Sequence, residues 1–208
     1  MKQIIAIGDS NTWGLVPGSN PQIRYPWEVR WTGILQEKNN NIRIIEEGLC
    51  GRTTVFEDEL RAGRKAVASL ETMLETNSPI DGVILMLGTN DCKTFYNASS
   101  YVIGKGVEKC LDIIEKYVSP EKILLISPIH LGEDVWRPEK DPEFSKKSVE
   151  TSKELREVYR SIAAKRGTAF LSASDIAKAS PVDDEHLDEA GHRIFAEAVN
   201  SALKEILT

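Results

Sequence analysis

The 208-residue chain is 41% hydrophobic and 28% charged, a balance that suits one globular domain over residues 1–208, burying roughly two-thirds or more of its unfolded surface. A formal net charge of −6, with basic residues scattered among acids, argues against a nucleic-acid partner, because phosphate binding rests on clustered Lys and Arg. No apolar run approaches the ~20 residues needed to cross a bilayer, so no membrane partner is expected, and Cys50, Cys92 and Cys110, which lack any paired spacing, read as reduced and mostly buried thiols.

The first element is a short apolar run, Gln3–Ile7, that leads straight into Gly8-Asp9-Ser10. Because it abuts a candidate functional serine it is not read as a removable leader, and a cytoplasmic location is expected. Four further runs follow, Ile42–Glu46, Gly82–Leu87, Lys122–Ser127 and Thr168–Leu171, rich in Ile, Val and Leu as parallel strands covered on both faces require. Helical stripes lie between and after them: Ile103, Val107, Cys110, Ile114 and Val118; then Leu155, Val158, Tyr159 and Ile162; then Phe195, Val199, Ala202 and Ile206. These stripes are read as core. Strand–helix alternation predicts an α/β, doubly wound, flavodoxin-like sheet whose ligands bind outside the carboxyl ends of the strands. Ile129–Pro142, with Trp136 and two prolines, is expected to be a long loop near that edge.

Three polar signatures land on the same edge: Gly8-Asp9-Ser10, Gly88-Thr89-Asn90-Asp91 and Asp183-Asp184-Glu185-His186. Each alone is an ordinary turn or cap. Together, in this order, they point to nucleophilic chemistry, since a serine hydroxyl becomes a useful nucleophile when a histidine takes its proton and a carboxylate orients that histidine. Asp183 and His186 supply such a pair on one loop. His192 is the rival base, because Glu189 also stands three residues before it; position separates them, with Glu189 and His192 inside the last helical pattern and Asp183 and His186 ahead of it. No Gly-x-Ser-x-Gly elbow occurs in the chain.

Four blocks, GDSNTWG (8–14), EEGLCGRTT (46–54), MLGTND (86–91) and DDEHLDEAGH (183–192), make the chain resemble the SGNH hydrolases of the GDSL esterase and lipase superfamily over nearly its whole length. The strings VRWTGIL (29–35) and EEGLCGRTT are similar to the bacterial arylesterase and acyltransferase branch. The resemblance implies a three-layer α/β/α sandwich with a five-stranded parallel sheet of order 2-1-3-4-5. It assigns Ser10 as nucleophile, His186 as base and Asp183 as its partner. The oxyanion donors it implies are the backbone N–H groups of Ser10 and Gly51 and the side-chain amide of Asn90. The expected reaction is hydrolysis of small, short-chain acyl esters, acetyl above all, through an acyl-serine intermediate with no metal or organic cofactor; transfer to alcohols accompanies it in the similar branch.

Around this set, Asp9 shapes the turn beside the pocket. Trp13 walls the pocket or is one more buried aromatic, and His130 lines it or is structural. Arg52, Trp27 and Trp31 serve substrate or subunit contacts, the latter because relatives in that branch form homo-oligomers. Three alternatives stay open. Acetylated sugars could supply the leaving group. A non-catalytic flavodoxin-like binding module would use the same edge, although GxGxxG, GxxxxGK[ST] and a phosphate cradle after the first strand are absent. A phosphoesterase would call for a metal-ligand cluster, which the sequence does not display.

Overall fold

The five apolar runs form five parallel strands in the computed structural model, which describes residues 1–207. They are β1 (Lys2–Gly8), β2 (Ile42–Gly48), β3 (Gly82–Met86), β4 (Ile123–Ser127) and β5 (Ala169–Ser172), hydrogen-bonded in the order β2-β1-β3-β4-β5. Six helices accompany them among the described residues: α1 (Ser10–Trp13), α2 (Trp31–Glu37), α3 (Ala66–Thr76), α4 (Ser100–Ile114), α5 (Lys146–Arg166) and α6 (Glu189–Ile206).

The period-2 alternation of a strand divides the core in two. Ile5 and Ile7 of β1 and Val83 and Leu85 of β3 pack with Leu70 and Leu74 of α3, Val107 of α4 and Tyr159 of α5. The alternate residues Ile4, Ala6, Ile84 and Leu124 pack on the other face with Trp31 and Leu35 of α2 and Phe195 and Val199 of α6. This is the expected three-layer sandwich.

Strand ends differ from the sequence reading by one or two residues. β2 continues past Glu46 to Gly48 because the pairing with β1 persists through Ile7–Glu47 and Gly8–Gly48, while Arg24, Arg30 and the Thr32 hydroxyl engage the Glu46 carboxylate. β3 stops at Met86, before Gly88 turns the chain at φ 124°. The helical stripe ending in Val118 outlasts its helix: α4 closes at Ile114, and Val118 is buried from the following turn.

The carboxyl edge of the sheet is crowded by backbone. α1 lies across the end of β2 so closely that a Cβ at Gly48 would fall 2.2 Å from the Trp13 nitrogen, an atom with no freedom to move aside. Gly48→Ala therefore forces α1 off the sheet, and its unfolding midpoint in urea should correspond to a loss of about 2 kcal/mol; a wild-type midpoint would show that the turn tolerates a side chain there.

Candidate active site

β1 delivers its last residue, Gly8, to the open edge, and Asp9 caps the single turn of α1 by accepting the Asn11 N–H at 3.0 Å. Ser10 is the first helical residue, so its own N–H has no intrahelical acceptor. Asn11 then ties this turn to the far end of the chain: its side-chain oxygen accepts the Leu187 N–H at 2.8 Å, and its side-chain amide donates to the Glu185 carbonyl at 3.3 Å.

Those two bonds clamp the loop that carries Asp183 and His186. One Asp183 oxygen accepts the backbone N–H groups of Glu185 and His186 at 3.0 Å each, a local turn in which the carboxylate substitutes for backbone acceptors. The other accepts from Gly18 N at 2.9 Å and pairs with His186 Nδ1 at 2.8 Å. Nδ1 beside a carboxylate carries the proton, which leaves Nε2 as an acceptor, and Nε2 stands 2.8 Å from Ser10 Oγ. Burial raises the Asp183 carboxyl, but the imidazole and the two backbone donors outweigh it and hold the group below its usual range. Asp184, between them, adopts a left-handed φ of 59° and ties the loop to Ile129–Pro142: its carbonyl accepts Gly132 N at 2.8 Å and its carboxylate meets Lys140 Nζ at 2.6 Å.

Gly51 and Asn90 border the same space. Gly51 adopts φ 82°, a backbone shape that suits glycine. The Cys50 carbonyl is held by Arg64 Nε at 3.1 Å, and in a planar trans peptide the Gly51 N–H points the opposite way. Asn90 donates one amide hydrogen to the Arg52 carbonyl at 3.2 Å, leaving the second for a ligand. Two residues lock this arrangement. Asp91 accepts the Thr54 N–H at 3.0 and 3.1 Å and also its hydroxyl, joining the Gly51 loop to the Asn90 turn. The buried Arg52 guanidinium donates to the carbonyls of Gly8 and Glu47, pinning the ends of β1 and β2.

Ser10, Gly51, Asn90, Asp183 and His186 all border one cleft of about 500 Å³. Pro138–Asp141 of the long loop form part of its wall. So does Glu185, which the sequence reading passed over as a spacer in the Asp-x-x-His string; its Oε1 is 3.7 Å from His186 Nε2. Burial pushes the Glu185 carboxyl up. Burial opposes a charged imidazole at His186, yet the carboxylates of Glu185 and Asp183 outweigh it and raise that group.

Other expectations are corrected. Trp13 does not wall the cleft: its ring lies beneath the Arg24 guanidinium, 5.1 Å from the centroid. Asp9 is buried under the site as a cap, away from the cleft surface. His130 follows β4 on the side of Lys153, Arg156 and Asp175, and is likewise absent from the cleft wall. His192 is fully buried on α6, where Nδ1 accepts the first N–H of α2 from Trp31 at 3.3 Å and burial lowers the ring to about 4. Its role is to cap α2. Arg52 and Trp31 are interior residues, the latter edge-on to Phe195 at 5.4 Å.

Among the described residues no helix is long and apolar enough to cross a membrane, and no cluster of His, Cys, Asp and Glu could hold a metal ion. The three cysteines are unpaired and buried.

With the parallel sheet and these edge residues in view, the chain belongs to the GDSL-like Lipase/Acylhydrolase family, whose model matches residues 6–194. It is an SGNH-fold carboxylic ester hydrolase, similar to esterases of known structure. The native aryl esterase of M. smegmatis is 29% identical, each chain covering 100% of the other, with a TM-score of 0.91. Est24, a carbohydrate acetylesterase from Sinorhizobium meliloti, is 30% identical over 98% of this chain and 99% of its own, with a TM-score of 0.89. A lipolytic G-D-S-L family member from Veillonella parvula DSM 2008 shares the fold at 17% identity and a TM-score of 0.72, over 98% of this chain and 99% of its own. No curated protein matches the chain.

The charged groups around His186 define a pH test. Asp183, Glu185 and Asp9 raise the imidazole, and Lys93 and Asp141 flank Glu185. Glu185→Gln removes one raising charge and keeps the shape, so the base is freed at lower pH. The acidic limb of the kcat/KM profile should move to lower pH; an unmoved limb would show that Glu185 exerts no field on His186.

Proposed function

We propose that this ester hydrolase works through Ser10 on short-chain acyl esters, acetyl esters foremost. The observation that carries the reading is the unbroken hydrogen-bond chain Ser10 Oγ–His186 Nε2–His186 Nδ1–Asp183 Oδ2, with both links at 2.8 Å, at the wall of the cleft.

Ser10 Oγ attacks the acyl carbon while its proton passes to His186 Nε2, and Asp183 stabilises the imidazolium without taking the proton. The carbonyl oxygen becomes an oxyanion, received by the N–H groups of Ser10 and Gly51 and the free amide hydrogen of Asn90. Such preorganised donors are usually the largest catalytic contribution. The bond from acyl carbon to alkoxy oxygen then breaks, the alcohol leaving with the proton from Nε2. Water, deprotonated by the same nitrogen, attacks the acyl-serine and releases the carboxylic acid and Ser10. An alcohol in place of that water gives transfer to a new ester.

The preference for short acyl groups is supported by the cleft wall. Leu15, Cys50, Pro138 and Val182 are its apolar side chains, and the remainder are polar, charged or glycine. Each buried methylene is worth about 0.8 kcal/mol only where apolar surface receives it, and this wall offers little.

With p-nitrophenyl acetate, Ser10→Ala and His186→Ala should each lose at least about a thousandfold in kcat. Asn90→Ala should lose about a hundred- to a thousandfold with little change in KM. Full activity in folded Ser10→Ala would overturn the mechanism. Across p-nitrophenyl esters from acetate to octanoate, kcat/KM should fall with length; a rise would contradict the short-acyl reading.

A further inference from the structure

Glu185 is a carboxylate in an unusual position. It follows two residues after Asp183 and immediately precedes His186, its side chain is 8% exposed, and the surface it retains faces the cleft. Its backbone is fully employed, the N–H donating to Asp183 and the carbonyl accepting from Asn11. Its carboxylate oxygens have no hydrogen-bond partner among the described residues; the ionisable nitrogen beside them is His186 Nε2 at 3.7 Å, beyond hydrogen-bond distance. Lys93, a cation of the wall whose field reaches Glu185, is already paired with Glu143. Burying a carboxyl without partners is costly, so an acceptor held this way fits a ligand that brings its own donor.

The geometry says which part of the ligand that is. His186 Nε2 hands its proton to the departing alkoxy oxygen, so that oxygen sits about 3 Å from Nε2. Glu185 Oε1, 3.7 Å from the same nitrogen, stands beside the point at which that proton is handed over. A hydroxyl on the carbon adjacent to the ester-bearing carbon lies about 3 Å from the ester oxygen, a spacing that lets it come within the usual 2.5–3.0 Å O–H···O distance of Oε1. An aryl or alkyl leaving group has no donor to place there and leaves the carboxylate desolvated.

Resting on the serine-esterase reading above, we propose that Glu185 is a specificity residue for the leaving group: it accepts a hydrogen bond from a hydroxyl vicinal to the scissile ester and so selects monoesters of neutral polyols, sugars included, over esters of simple alcohols. The polar wall contributed by Ser19, Asn20 and Gln22 suits the remaining hydroxyls of such an alcohol. Lys140 of the long loop, bound to Asp184, adds a further polar side chain to the wall.

Glycerol monoacetate and propyl acetate share an acyl group and a three-carbon alcohol and differ in hydroxyls, so their kcat/KM ratio isolates this contact from acyl recognition and from the chemical steps. Wild type, Glu185→Gln and Glu185→Leu are compared by pH-stat, each at the plateau of its own pH profile and with folding verified by circular dichroism. The ratio should favour glycerol monoacetate in the wild type. It should fall about tenfold or more in Glu185→Leu, the loss of one hydrogen bond to a charged acceptor, and by less in Glu185→Gln, whose amide oxygen still accepts. An unchanged ratio in both variants, including one in which both substrates decline together, would overturn the assignment. Ser10→Ala in the same assay separates the two readings: if it still hydrolyses both esters, the serine mechanism itself has failed, whereas a dead Ser10→Ala with an unchanged Glu185 ratio condemns only the specificity proposal.

Discussion

The site depends on holding two segments together that are 176 residues apart in the chain. A serine and a histidine at 2.8 Å are useful only if neither can drift, since a displacement of about 1 Å at reacting groups costs orders of magnitude in rate. The side-chain amide of Asn11 supplies that restraint. It spends its oxygen and its nitrogen on the backbone of the Glu185–Leu187 segment, and in doing so fixes the height of the histidine loop against the α1 turn. Asp183 then sets the orientation of the ring by accepting from its neighbours' backbone as well as from Nδ1.

The opposite wall is held by a parallel device. Asp91 binds the backbone and hydroxyl of Thr54, and Arg52 binds the carbonyls that end β1 and β2, so the Gly51 loop, the Asn90 turn and the strand ends form one buried polar network. Burial raises the Asp91 carboxyl to about 6 against the pull of the Thr54 donors. A network of this kind keeps hydrogen-bond donors aimed before any substrate arrives, which is the condition for electrostatic stabilisation of an oxyanion. The proposed donors are thus supported from behind by residues that never touch the cleft.

Much of this was readable beforehand, for identifiable reasons. Apolar runs of four to six residues broken by amphipathic helices announce a sheet covered on both faces, and the three polar signatures sit where such a sheet must open. The strand order entered through family resemblance, because hydrophobic pattern does not record which strand neighbours which. Side chains that work through backbone partners were opaque: nothing in the spacing of Asn11 shows that it reaches Glu185 and Leu187, and nothing in that of His192 shows that it caps α2 at Trp31. Trp13 and His130 stayed open between pocket and interior for the same reason, since nearness in sequence to a strand end does not say which side of the edge a side chain takes. Glu185 was hidden in a spacer position, next to a left-handed turn at Asp184 that its sequence does not announce, and it lines the cleft.

On the proposed mechanism, Ser10 carries the acyl group. This is tested most directly by rapid acid quench of the enzyme with p-nitrophenyl acetate, followed by proteolysis and mass spectrometry of the peptides. One acetyl adduct is expected, on the peptide containing Ser10, forming with the first burst of nitrophenol and decaying at the rate of turnover. A productive enzyme that shows no adduct, or that carries it on another residue while Ser10 stays unmodified, would contradict it.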